Sequence, residues 1–355
     1  MTIPKDLIAF AVALLGSLLL TIPVRHLAIR FGMVDQPGPR KVHIKPMPLL
    51  GGIAIYLGFV PAVLFAFHSG PMQQIVAILG GATLLALVGI LDDGGLLHHQ
   101  VKLFIGMPVA SLFLIASGVR ADVVTAFLPG ATGAVLDGCL TVFWVVGITA
   151  SFSILDHMDG LCAGLAAIAA VFFALVANFL GQTMVGTLAI ATLGAALGFL
   201  WWNFNPAKIF MGDGGAMFLG FLMATLGLRI HPPIEERFPG TWLVPVLILG
   251  VPIFDTALVS ISRSRRGLLP FASPGKDHSA HRLANLGLGH RGAVLAMYAA
   301  AAIVGALGFW AAHLPASGEY AILGSAAVAA ILCVLFFESA PYERQEKIPK
   351  SSAAR

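Results

Sequence analysis

The sequence predicts an all-α, polytopic membrane protein of about eleven transmembrane helices, with its N-terminus outside and its C-terminus cytoplasmic. Three observations predict it. Of the 355 residues, 58% are hydrophobic and only 11% are charged, whereas a soluble domain carries about a quarter charged residues. Apolar stretches of near-span length recur along the whole chain, and eleven spans would take roughly 220 residues, leaving room for short loops only. Finally, 17 of the 21 Lys and Arg residues fall in one alternating set of loops and the C-terminal tail, which is the bias of cytoplasmic segments. A disordered chain, a coiled coil and a compact soluble enzyme are excluded. Residues 1–340 read as one integral-membrane domain and 341–355 as a short cytoplasmic tail.

The elements follow in order. The first apolar stretch, 7–24, comes after Lys5 and lacks a small-x-small cleavage site, so it reads as a retained span rather than a removed signal peptide. A basic, Pro-rich loop from Asp35 to Gly52 follows; it carries Arg40, Lys41, His43 and Lys45 and reads either as a topogenic loop or as part of a site. Stretches 49–67 and 74–91 lead to Asp92-Asp93. Two adjacent carboxylates at the end of a span are costly to bury and oppose the helix dipole, and a bound cation relieves that repulsion. They are either such a site or a solvated helix end. Lys102, nine residues on, suits an anionic phosphate, whereas His43, His98 and His99 read as interfacial residues.

Stretches 103–118 and 134–152 precede the acidic loop Asp156-His157-Met158-Asp159-Gly160-Leu161, whose two Asp share a face at helical spacing. Stretches 161–180 and 184–202 lead to the segment from Asn203 to Gly215. There Asp213, followed by two Gly, opens stretch 214–230 and sets a carboxylate beside free helix N-terminal amides, an arrangement suited to a metal–diphosphate complex. Stretch 242–262 holds an intramembrane acid, Asp255, which pairs with a basic residue or lines a site. The long inner loop contains Lys276-Asp277-His278-Ser279-Ala280-His281-Arg282. Its histidines suit phosphate or sugar better than a closed zinc site, because no Cys or third His stands nearby in sequence; anionic lipid headgroups are the other reading. Stretches 292–313 and 320–338 complete the set, and Gly and Pro within them are tolerated in membrane helices.

The polar motifs all fall on the cytoplasmic side of this topology, so the protein reads as a membrane enzyme of the inner or plasma membrane that takes a cytosolic substrate. The net charge of +4 is scattered between spans and does not imply a nucleic acid. Cys139, Cys162 and Cys333 form no CxxC pair and read as small apolar packing residues.

Taken together and in order, these motifs resemble the polyprenyl-phosphate N-acetylhexosamine-1-phosphate transferases, the MraY/WecA-like superfamily of the glycosyltransferase family 4 type. The resemblance covers roughly residues 30–290. Asp35, Pro37, Arg40, Lys41, His43, Pro46, Pro48, Gly51 and Gly52 match D-x-P-x-x-R-K-x-H-x-x-P-x-P-x-x-G-G. Asp92, Asp93, Leu97, Lys102 and Leu103 match D-D-x-x-x-L-x-x-x-x-K-L. Asn203, Pro206, Ala207, Lys208, Phe210, Met211, Gly212 and Asp213 match N-x-x-P-A-K-x-F-M-G-D. The first loop and the PAKIFMGD run look more like the branch using UDP-N-acetylhexosamine than the branch using UDP-muramoyl-pentapeptide. Two departures stand out. Where the family pattern has N-A-x-N-L-x-D, this chain has Ala150 and Ser153 in place of both Asn, and the final H-x-H-H loop lacks its middle His, at Ala280.

The resemblance implies transfer of a sugar-1-phosphate from a UDP-sugar to a polyprenyl (undecaprenyl) phosphate within the lipid membrane, releasing UMP in an initiating step of cell-envelope glycan synthesis. It implies Mg²⁺ or Mn²⁺, with Asp213 and Asp92 as metal ligands and Asp92, Asp93 and Asp213 as the catalytic carboxylates. It also implies that Lys41, His43, Lys102, Asp156, Asp159 and Asn203 bind substrate and that His278, His281 and Arg282 contact phosphate or sugar. It admits a homodimer. Two other classes stand beside it: an ion-coupled transporter, because of Asp255, and a non-catalytic homologue, because of Ala150 and Ser153.

Overall fold

The computed structural model describes residues 4–37, 45–68, 72–230, 243–269 and 275–340. Helix underlies all the predicted apolar stretches. The chain runs through α1 (Lys5–Arg30), α2 (Gly51–Ala66) and α3 (Met72–Asp93). The short α4 (His99–Val101) continues through a π-helical turn at Lys102–Gly106 into α5 (Met107–Ala116). Then come α6 (Ala131–Leu155), α7 (Leu161–Phe179), α8 (Thr183–Asn203) and α9 (Gly212–Arg229). The last third holds α10 (Leu243–Ile248), α11 (Gly250–Arg265), α12 (Ser279–Leu283), α13 (Gly289–Ala311) and α14 (Ala316–Ser339). Among the described residues the only sheet is a short antiparallel pair, β1 (Val34–Asp35) with β2 (Met47–Pro48), placing Val34 opposite Pro48.

Seven helical runs among the described residues are long and apolar enough to cross a membrane: α1, α3, α6, α7, α8, the α12–α13 run and α14. The other apolar stretches form shorter or more polar helices. The predicted single span over 242–262 is split at Leu249, whose φ of −94° and ψ of 17° leave the helical region. Pro252 explains the break: it has no N–H for the carbonyl four residues back, and it is tolerated in the first turn of the new helix.

The architecture is organised around α9. Every residue from Gly214 to Leu228 is buried, as befits a helix that is apolar all round, and α2, α3, α6, α7 and α8 pack around it. By contrast, α14 lies at the periphery, with Val328, Ile331, Leu332 and Leu335 exposed, as an apolar face turned to lipid would be. Lipid tails offer no hydrophobic drive between helices, so close backbone packing of small residues carries much of the association. That packing is tightest at the start of α9. A Cβ at Gly52 of α2 would stand 2.2 Å from the Gly215 nitrogen, and one at Gly89 of α3 would stand 2.4 Å from the Gly214 nitrogen. Three backbones therefore meet where α9 begins. The first loop is zipped to the same point: Gly51 N–H donates to Phe210 O (3.0 Å), Gly52 N–H to Met211 O (2.8 Å) and Phe210 N–H to Pro48 O (2.8 Å).

Candidate functional site

At this meeting point lies a carboxylate centre. Asp92 and Asp93 end α3, and Asp213 sits in the first turn of α9. The two acids of the pair do different work. Asp93 turns to α9 and accepts from Asp213 N–H (2.9 Å) and Gly214 N–H (3.2 Å), capping from another helix the free amides of an N-terminus. Gly212, at φ +74°, lets the chain pass over it, since a Cβ there would stand 2.5 Å from Asp93 Oδ2. Asp92 instead accepts from Lys102 Nζ at 2.7 Å, and the same ammonium donates to Asp213 Oδ2 at 2.5 Å. Ser153 Oγ donates to the other Asp213 oxygen at 2.5 Å. Four chain segments, α3, the π-helical turn at Lys102, α6 and α9, thus bring their polar groups together.

Next to this centre, the acidic loop turns from α6 into α7. Asp156 follows the last residue of α6, and its carboxyl is pushed well above the usual carboxylate range by burial and by the neighbouring charges of Asp213 and Asp93, against the pull of the Gly212 N–H. Asp159 faces the other way and accepts from Asn205 Nδ2 (3.0 Å) and Ala207 N–H (3.0 Å). Asn203 is buried, and its amide oxygen accepts from Gly160 N–H (3.0 Å) while its nitrogen donates to Ile209 O (3.0 Å). Asn203 and Asp159 therefore tie the acidic loop to the 205–213 segment. Tyr298 of α13 secures the same turn, its hydroxyl donating to Gly160 O at 2.5 Å.

The histidine loop forms the third part. Asp255, fully buried on α11, pairs with His278 Nδ1 at 2.7 Å and accepts from Ser279 N–H (2.7 Å) and Ser279 Oγ (2.5 Å). The intramembrane acid thus has a basic partner. Asp277 is gripped from α11 by both Arg263 Nε (2.9 Å) and Nη2 (2.8 Å), with Arg266 adding a third bond at 2.7 Å. Burial alone would raise the Asp277 pKa, but the bonds from Arg263 and Arg266 outweigh it and hold the carboxyl at about 2. Arg282, expected at phosphate or sugar, is fully buried and donates from Nε to Asp277 O (2.8 Å), from Nη1 to Phe337 O (2.7 Å) and Glu338 Oε1 (2.9 Å), and from Nη2 to Ser262 Oγ (3.0 Å). It fastens the loop to α11 and α14. Its planar set of five donors serves this backbone-rich pocket as readily as it would a phosphate.

Among the predicted residues, Asp92, Asp93, Lys102, Asp156 and Asp213 come together, Asp159 and Asn203 support them, and His278 and His281 lie on the histidine loop. Lys41 and His43 fall outside the described residues. Two participants were not assigned from sequence. Ser153, noted only as a departure, donates to Asp213. His157, quoted in its motif without a role, lies between the loop histidines, its ring 4.3 Å from that of His278 and stacked 4.6 Å from that of His281. Burial, with both neighbouring imidazoles, holds His157 well below its ordinary pKa.

A one-ended cluster of acids and a lysine on a bundle of apolar helices defines a polytopic membrane enzyme for a charged substrate, and the chain belongs to glycosyl transferase family 4. The model described by that name matches residues 75–231, from α3 to just beyond α9. Similar proteins are named for one activity. A probable undecaprenyl-phosphate N-acetylglucosaminyl 1-phosphate transferase of Bacillus subtilis (strain 168) is 40% identical over 83% of this chain and 81% of its own length. The decaprenyl-phosphate N-acetylglucosaminephosphotransferase of Mycolicibacterium smegmatis is 34% identical, over 88% of this chain and 83% of its own. The undecaprenyl-phosphate alpha-N-acetylglucosaminyl 1-phosphate transferase of Escherichia coli (strain K12) is 26% identical over 91% and 88%.

Proposed function

We propose that the protein transfers N-acetylhexosamine-1-phosphate from a UDP-sugar to a polyprenyl phosphate at the cytoplasmic face of the inner or plasma membrane, giving polyprenyl-diphosphate-sugar and UMP. The observation that carries this reading is the convergence of Asp92 and Asp213 on the single ammonium of Lys102 at the start of the buried helix α9. Oxygen donors from separate segments that already share one cation suit a hard divalent ion. Asp213 and Asp92 would hold Mg²⁺ or Mn²⁺, which supplies charge neutralisation at the diphosphate. Asp93, with both oxygens on the amides of α9, keeps Asp213 in place. Lys102 offers its positive charge to a phosphate of either substrate. Asp156 faces the centre, and Asp159 and Asn203 hold the loop on which the nucleotide rests. His281 faces phosphate or sugar, on the loop that the bond between Asp255 and His278 holds in place. The attacking lipid phosphate is an anion at neutral pH, so the demand for a general base is small. Ser153 supplies a donor to Asp213 where the family pattern has an amide, which weakens the non-catalytic alternative; nothing in the structure explains Ala150.

The test is UMP release by the purified protein from UDP-GlcNAc and UDP-GalNAc with undecaprenyl phosphate. Asp213→Asn should leave the protein folded and membrane-inserted while lowering the rate roughly a thousandfold or more, the several kcal/mol of transition-state stabilisation that a metal-bearing carboxylate supplies. Near-wild-type turnover of that variant at saturating substrate would remove Asp213 from the centre.

A further inference from the structure

We propose that His157, Asp255 and His278 form a second cation site, separate from the carboxylate centre, that takes a borderline divalent d-block ion of the Zn²⁺ type. The three residues come from three places in the chain: the turn between α6 and α7, the middle of α11, and the residue before α12. Their ligating atoms, one from each side chain, lie within 4.8 Å of one another. Ligands about 2.0–2.1 Å from a tetrahedral zinc sit roughly 3.3 Å apart, so small side-chain rotations would close the set. Two imidazoles and one carboxylate with a position left open is the donor composition of zinc sites that keep a water or substrate ligand.

A second, independent observation points to a ligand. Both ring nitrogens of His157 are shielded from solvent and have no hydrogen-bond partner. Buried polar atoms are rarely left in that state, and each such case calls for an explanation such as an ion. The neighbouring imidazoles supply no hydrogen bond to His157, because His281 stacks on the face of its ring. A neutral imidazole held this way keeps an in-plane lone pair for a metal. Asp255 and His278 are already joined by their 2.7 Å bond, so an ion entering between them takes the place of that bond, and the neutral His278 ring then carries its one proton on Nε2. His281 is left to the substrate.

The fold therefore supplies in space the third histidine that the inner loop lacks in sequence. Ligand chemistry separates the two sites. The carboxylate centre offers only oxygen and suits Mg²⁺, whereas imidazole favours zinc, cobalt or nickel over magnesium.

The experiment uses full-length protein in detergent, purified on a tag without histidine, stripped with chelator and kept in excess Mg²⁺. Titration with Co²⁺ should give one tightly held ion per chain with the strong visible absorption of four- or five-coordinate cobalt. Zn²⁺ should displace it and remain at one per chain after desalting. His157→Ala should lose the band and weaken retention by roughly a hundredfold, at least the loss seen when a metal ligand's supporting partner is removed. Asp213→Asn should keep the band, which separates this site from the carboxylate centre. Wild-type protein that binds Co²⁺ or Zn²⁺ only substoichiometrically, or with the weak spectrum of the six-coordinate aquo ion, overturns the proposal whatever the variants do. So does a His157→Ala, or a His157→Gln should the alanine variant fail to fold, that binds like the wild type. The readout is binding, so it stands independently of UMP release.

Discussion

Two oxygens of one side chain, Asp213, define the centre: one accepts from Lys102 and the other from Ser153. A hydrogen bond to a charged group contributes about 1.5–3 kcal/mol, so Ser153→Ala should lower the rate of UMP release by roughly ten- to a hundredfold while leaving the fold intact. Ser153→Asn, which restores a donor of greater reach, should retain activity and shift the preference between UDP-GlcNAc and UDP-GalNAc. Kinetics on both sugars decide this, and an Ala variant with unchanged turnover would reduce Ser153 to a packing residue. The acids were legible in the sequence because carboxylates are rare in so apolar a chain and costly to place beside a span. Ser153 was not, because a hydroxyl on a helix ordinarily bonds to its own backbone, as Ser151 does to Gly147 O. The partners of Arg282 were not legible for a related reason: a sequence displays a charge but not the direction in which a long side chain carries it.

At the scale of the element, the histidine loop is a short segment bolted at both ends. Asp277 is held by Arg263 on α11 and by Arg266 at its C-terminal cap, and Arg282 reaches Glu338 on α14. The Asp277 carboxyl, at about 2 against an ordinary 3.8, binds its proton more weakly in the folded protein than in the unfolded chain. Its contribution is therefore complete above about pH 4 and is lost as pH falls through 2, and it amounts to about 2 kcal/mol. Thermal unfolding in detergent should place Asp277→Asn below the wild type throughout pH 5–8, with the gap narrowing only in acid; a gap that varied across the neutral range would mean that another group is responsible. The start of α9 is a second element-scale constraint. Gly52→Val would drive a side chain into the Gly215 backbone, and overpacking of this kind costs about 1–3 kcal/mol or more. That variant should melt well below the wild type or fail to accumulate in the membrane. The break at Leu249 was not legible, since hydropathy registers an apolar run and passes over the prolines within it, Pro245 and Pro252.

For the molecule as a whole, the helical bundle was legible because a membrane admits few solutions: backbone groups in lipid must be satisfied within each segment. The loop partnerships were not, since nothing local indicates that Gly51 and Gly52 will hydrogen-bond to residues 210 and 211. The one-sided site makes a topological prediction. In a background freed of Cys139 and Cys333, the two exposed cysteines, single cysteines at Lys41, Lys102, Lys208 and Lys276 should react with impermeant reagent from the cytoplasm only, and those at Arg120 and Arg237 from outside. Labelling of positions 102 and 208 from opposite sides would break the arrangement, because α3, α8 and α9 would then not share an end. The meeting of three backbones beneath Asp213 also bears on inhibition. Gly52, Gly89, Gly214 and Gly215 admit no side chain without parting the helices, so the floor under the carboxylates is a surface the gene has almost no freedom to revise. A compound that rests on that floor should select resistance in the surrounding loops or through raised expression, and seldom through substitutions at the glycines themselves.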